Sequence, residues 1–185
     1  MNPRLLSLVN DLFLLAMMLM MVEILTFAMV LQYKGGEIPC PLCLLQRVAM
    51  FGVCFGIILH FRGGTSARHD GLSMLFALFL LIVSARQTLL DIYPRPGHTY
   101  IGSAVFGIHM PVWSVIISVA ILLAFTVKFA VLGGESARDE ERPPILNGAA
   151  ALLIAYVILL CAVNFVSVIV QCGMDACHTL GYRLL

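Results

Sequence analysis

The sequence predicts an all-α integral membrane protein, and three observations carry that prediction. Of the 185 residues, 61% are hydrophobic and only 11% are charged, more apolar surface than a soluble domain could cover. The apolar residues fall into five runs, at 11–32, 42–61, 72–92, 110–132 and 146–170, each close to the roughly 20 residues that cross a hydrocarbon core. Between them lie turn and linker chemistries: Gly35-Gly36, Arg62-Gly63-Gly64-Thr65-Ser66, the Pro94/Pro96/Gly97 segment, and a charged stretch from Gly133 to Pro144. The length suits a single domain. A formal net charge of +1 gives no basis for a nucleic-acid partner.

The first run is no cleavable signal, because its apolar core is too long and no small-residue cleavage site follows it. Glu23 lies near its middle, where an ionisable group is costly and is expected to face the bundle interior. It is either a protonated structural residue or part of a proton path. The second run opens on Cys40-Pro41-Leu42-Cys43. Pro41 suits a first helical turn, where its missing N–H costs nothing, and a helix N-terminus favours nearby thiolates. Residues 40, 43 and 47 share one helical face, so Arg47 adds a cation one turn below Cys43. A thiolate, a cation and an apolar surround suit electron exchange with a lipid-soluble acceptor. The alternatives at Cys40 and Cys43 are a structural disulfide or half of a zinc site.

In the third run, Arg86 and Asp91 lie near one end and are expected to snorkel or pair there. The segment from Tyr93 to Met110 mixes glycines with aromatic and apolar residues. It is expected to anchor at the membrane interface, with Tyr93 and Trp113 in the aromatic belt, or to cover the cysteine pair. His98 and His109 are expected to be solvated. Residues 133–145, with the charged run Glu135 to Arg142, read as a solvated loop. The fifth run leads to a tail, 171–185, containing Gln171-Cys172-Gly173-Met174-Asp175-Ala176-Cys177-His178. Cys172 and Cys177 form either a redox relay or a short disulfide stapling the tail. Cys54 and Cys161 fall mid-span, where cysteine behaves as a small hydrophobe. No metal site is expected, since paired CxxC knuckles are absent and C-x4-C is a poor zinc match.

Orientation follows from the basic residues. With the N-terminus cytoplasmic, Arg4, Arg62, Arg68, Lys128, Arg138 and Arg142 lie inside, against Lys34, Arg95 and Arg183 outside once Arg47 and Arg86 are set aside as span residues. An odd number of spans then places the C-terminus on the outer side with Cys40 and Cys43, the oxidising compartment where disulfides persist.

Cys40-Pro41-Leu42-Cys43-Leu44-Leu45-Gln46-Arg47 resembles the CxxC-xxx-Arg signature of the DsbB family, the thiol:quinone oxidoreductases of the bacterial inner membrane. Glu23, Gln32, Leu89-Leu90-Asp91-Ile92-Tyr93-Pro94 and Met110-Pro111-Val112-Trp113 are similar to it too, so the likeness covers roughly residues 12–132. The resemblance implies a four-helix bundle over 1–132, with ubiquinone or menaquinone beside the cysteine pair and Arg47 near the quinone ring. Electrons would pass from a periplasmic thioredoxin-like thiol oxidase to the quinone pool. Arg86 and Gln87 stand as further quinone-site candidates. Gln87 occupies a position where the family often has histidine; it can donate a hydrogen bond but carries no proton charge.

The chain departs from that family in the loop between the third and fourth spans. Family members usually carry a second cysteine pair there, whereas this loop has none, and Tyr100 falls about where the first would stand. A fifth span, 146–170, brings a tail pair to the same expected side. The expected activity is thiol:quinone oxidation. Cys40–Cys43 accepts electrons by thiol–disulfide exchange, Cys43 reacts with the quinone, and Arg47 stabilises the developing negative charge. The competing expectation is a non-catalytic DsbB-like scaffold subunit of a larger membrane assembly. Intact Cys40, Cys43 and Arg47 argue against it; the missing loop pair argues for it.

Overall fold

The computed structural model describes residues 3–93, 104–132 and 142–173. Its helices are α1 (Pro3–Lys34), α2 (Pro41–Gly63), α3 (Ala67–Ile92), α4 (Met110–Leu132) and α5 (Pro144–Cys172). Each is long and apolar enough to cross a membrane, and each contains one of the five apolar runs. The chain is an all-α integral membrane protein. Several helices outrun their apolar segments: α1 begins at Pro3 rather than near residue 11, and α3 at Ala67 rather than near 72. Backbone hydrogen bonding does not stop at the edge of the hydrocarbon, so a spanning helix continues until a cap ends it. For α3 that cap is Ser66, whose hydroxyl accepts the Arg68 N–H at 3.3 Å.

The central helix is α2. It packs against α1, α3 and α5, while α4 packs on α3 and touches α1, closing a four-helix bundle; α5 lies against α1 and α2. The core runs along the bundle from Leu14, Met18, Met21 and Leu25 of α1 to Val53 and Ile57 of α2, Leu80 of α3, and Ile121 and Phe125 of α4. Gly52 and Gly56 bring α2 close to α3. A methyl group at Gly56 would lie 2.6 Å from the His69 carbonyl oxygen, and one at Gly52 would run into the Phe76 ring. Small residues one turn apart are the usual device for close helix contact in lipid.

Before α4 the chain forms a short antiparallel hairpin, β1 (Ala104–Val105) and β2 (Ile108–His109). Its two-residue turn, Phe106-Gly107, has φ of +51° and +75°, the left-handed pair that matches hairpin twist. The Trp113 indole N–H donates to Val105 O at 3.0 Å, tying the hairpin to the first turn of α4.

At the opposite end of the bundle the polar groups are paired. Arg142 was expected in a solvated loop; instead its Nε donates to Asp11 Oδ2 at 2.8 Å, its Nη1 to Phe61 O at 3.0 Å, and its guanidinium lies over the Phe61 ring. Asp11 also pairs with His60 Nε2 at 3.0 Å, and Lys128 with Asp70. A buried carboxylate needs such partners, and Arg142 is within reach because it lies two residues before α5. Residues 133–141 of the charged stretch lie outside the described residues.

Candidate functional site

The cysteine pair sits where α2 begins. Cys40 is the N-cap and Pro41 the first helical residue. The Cys40 sulfur accepts the Cys43 N–H at 3.1 Å, a donor the helix start would otherwise leave unpaired. The two residues form a disulfide with Cα atoms 5.0 Å apart. Cys40 is buried and Cys43 half-buried. This asymmetry matters, because Cys43 alone of the two borders a cavity.

That cavity, of about 140 Å³, opens between α1, α2 and α4. Its walls are mostly apolar, with Ile24, Phe27, Leu31, Met50, Trp113 and Ile117 prominent. Polar groups enter from Gln32, Gln46, Arg47 and Ser114. The Arg47 guanidinium is held from two other helices. Nη1 donates to Gln32 Oε1 at 2.5 Å and to Asn164 Oδ1 at 3.4 Å, and Nη2 to Ala28 O at 3.1 Å. Gln32 is fixed in turn, its Nε2 donating to Ser167 Oγ at 2.6 Å. Arg47 itself is 8% exposed, so its charge is carried inside the bundle beside the cysteine pair.

The other expected site residues are dispersed. Gln87 is buried, and its Nε2 reaches Cys40 Sγ at 3.4 Å and Cys43 Sγ at 3.5 Å; it meets the sulfurs and is not part of the cavity wall. Arg86, one residue earlier on α3, is exposed and also absent from that wall, because adjacent residues on a helix point about 100° apart. Cys172 is buried, the last residue of α5, and is itself disulfide-bonded. Cys177 and His98 lie outside the described residues. Cys54 is a free buried cysteine and Cys161 a free exposed one. Glu23, expected to face inward, is exposed on α1. The buried stripe of α1 passes through residues 14, 18, 21 and 25, which turns Glu23 toward a shallow groove shared with Thr26 and Tyr156.

Sequence reasoning missed the polar seam of α5. Asn164, Ser167 and Gln171 are all buried. Gln171 Nε2 donates to Pro39 O at 2.8 Å, which pins the end of α5 beside the residue preceding Cys40. The signal was available: three polar residues at helical spacing in an otherwise apolar span mark one inward face. Gln46 and Ser114 were likewise unread.

Fold and site together define a multi-pass membrane protein with a disulfide at the mouth of its bundle, next to a buried arginine and an apolar cavity. Residues 10–100 match the family model for disulfide bond formation protein DsbB, and over that segment the chain is similar to the DsbB family. Among its relatives, the disulfide bond formation protein B of Chromobacterium violaceum is 43% identical over 72 residues, 37% of this chain and 43% of that protein. The one from Paracidovorax citrulli is 38% identical over 76 residues, 40% and 43% of the two chains. The one from Chromohalobacter salexigens is 34% identical over 101 residues, 48% and 56%. The chain thus spans about half the length of the curated relatives it matches. No solved structure matches it.

Proposed function

We propose that this chain is a thiol:quinone oxidoreductase of the bacterial inner membrane, which reoxidises a periplasmic dithiol partner and passes the electrons to the quinone pool. The observation that carries the reading is that Cys43 and Arg47 border the same apolar cavity. The donor set fits a quinone: a flat apolar ring suits walls of Phe27, Met50 and Trp113, and its carbonyl oxygens suit Arg47 and the second N–H of the Gln46 amide. Bound there, ubiquinone or menaquinone supplies a two-electron acceptor. Arg47 contributes a fixed positive charge at the wall, already oriented by Gln32 and Asn164, so little reorganisation is needed as negative charge develops.

The partner that fits is a thioredoxin-like thiol oxidase. Its dithiol reduces a tail pair, Cys172 and Cys177, and the tail dithiol reduces Cys40–Cys43. Each exchange breaks one disulfide, forms another, and moves two electrons and two protons. Two observations support the relay: α5 packs on α1 and α2, and Gln171 holds the end of α5 against Pro39. Cys43, on the cavity wall, is the exit for the electrons. The N-terminus is cytoplasmic and the C-terminus periplasmic in this scheme, with Arg4, Arg62, Arg68 and Lys128 at the inner face.

The test is quinone-dependent oxidation of a dithiol by purified protein. Cys40→Ser and Cys43→Ser should each abolish it. Turnover retained at the parent rate in either variant would remove the activity from this site, leaving a scaffold role.

A further inference from the structure

Three polar side chains from three helices run to the disulfide in one direction. Ser114 Oγ on α4 donates to Gln46 Oε1 on α2 at 3.1 Å. Gln46 Nε2 donates to Gln87 Oε1 on α3 at 2.9 Å. Gln87 Nε2 then reaches the sulfurs of Cys40 and Cys43 at 3.4 and 3.5 Å. All three side chains are buried.

A carboxamide donates at one end and only accepts at the other, and this gives the chain a polarity. The Ser114 hydroxyl donates to the Gln46 oxygen, and the Gln46 amide N–H2 faces α3. That group occupies the Gln87 oxygen, which leaves the Gln87 N–H2 facing sulfur. Turning Gln87 over would set two N–H2 groups against each other and a carbonyl oxygen against the sulfur lone pairs.

We propose that Ser114 and Gln46 are positioning residues that lock the Gln87 amide with its N–H on the Cys40–Cys43 pair, stabilising the thiolate released when that disulfide opens. In the exchange, an incoming thiolate forms a bond to one sulfur of the pair and the Cys40–Cys43 bond breaks. The bonding electrons stay on the displaced sulfur. An N–H aimed at that sulfur favours the charged form. Stabilising the reduced form makes a disulfide a stronger oxidant, the property needed to drain electrons from a partner. The catalytic meaning of this lock rests on the thiol:quinone reading, but its test reads the cysteines alone.

The experiment uses the full chain in detergent without added quinone, equilibrated in dithiothreitol redox buffers. Differential alkylation with peptide mass spectrometry reports the reduced fraction of Cys40 and Cys43, and the pH midpoint of Cys43 alkylation is followed in parallel. Gln46→Met should shift the equilibrium about tenfold toward the disulfide and raise the alkylation midpoint, as expected for loss of a hydrogen bond to a charged group. Ser114→Ala should move both readouts the same way by a smaller factor, and Ser114→Thr should restore them. Values for Gln46→Met and Ser114→Ala within about twofold of the parent, even with lowered thermal stability, would reduce the chain to packing and overturn the proposal. If Gln46→Met does not fold, the Ser114→Ala and Ser114→Thr pair decides alone. Shifted midpoints in a protein whose parent never reduces quinone would uphold the lock and sink the quinone reading instead.

Discussion

Arg47 carries the site's positive charge, and its surroundings say how far it can be replaced. Its two terminal nitrogens are divided among Gln32, Asn164 and Ala28 O, a planar fork reaching acceptors on α1 and α5 together. Arg47→Ala should therefore raise the apparent KM for quinone or lower the rate, while leaving exchange between Cys40–Cys43 and a small dithiol largely intact. Arg47→Lys should recover only part of the loss, because lysine keeps the charge without the fork. Steady-state kinetics with a soluble quinone analogue measures this, and unchanged constants for Arg47→Ala would take the residue out of the site. The CxxC-to-arginine spacing was legible in the sequence because helical periodicity alone sets which face those residues share. Gln87 was legible only as a polar residue near the site. Its actual target, the sulfurs, depends on how α3 sits against α2, which periodicity does not encode. Glu23 was misread for the same reason: cost argues for an inward position, but the buried stripe of α1 passes it by.

Among the elements, α2 and α3 make the closest approach, and two glycines permit it. The atoms opposing them differ in kind. At Gly56 the obstacle is the His69 carbonyl of the α3 backbone, whereas at Gly52 it is the Phe76 side chain, which can rotate. Gly56→Ala should thus cost more stability than Gly52→Ala, with about 1–3 kcal/mol for the overpacked site, and should disturb Gln87 by pushing α3 outward. Thermal unfolding of both variants in one detergent gives the comparison, and equal midpoints would show that α3 shifts freely. Five spans were readable because bilayer thickness fixes their length. Helix ends were less so, since hydrogen bonding continues into polar flanks where hydropathy falls silent. Arg142 shows the limit: within a charged stretch, nothing local says that one arginine will turn back onto Asp11.

Across the whole molecule, the charge pairs and the Cys40–Cys43 disulfide are separated by the length of the bundle. Asp11–His60–Arg142 and Asp70–Lys128 hold one end, and the disulfide, the cavity and the end of α5 occupy the other. This arrangement gives α5 a purpose beyond filling space. It leaves the opposite end through Pro144, crosses beside α1 and α2, contributes Asn164 and Ser167 to the shell around Arg47, and finishes at Cys172. A helix that merely thickened the bundle would have no need of a buried polar seam. If the tail pair stands in for the loop cysteines this chain lacks, then Cys172→Ser/Cys177→Ser should block oxidation of a protein dithiol partner. Quinone reduction by a small dithiol acting directly on Cys40–Cys43 should survive in the same variant. A single-cysteine tail variant should also trap a mixed disulfide with Cys40 or Cys43, visible by mass spectrometry of non-reduced peptides. The competing role, a staple for the tail, makes the opposite forecast. The double variant would oxidise its protein partner at the parent rate and only melt at a lower temperature. The two roles separate because a staple acts through stability alone, whereas a relay interrupts electron flow from one class of donor and spares the other.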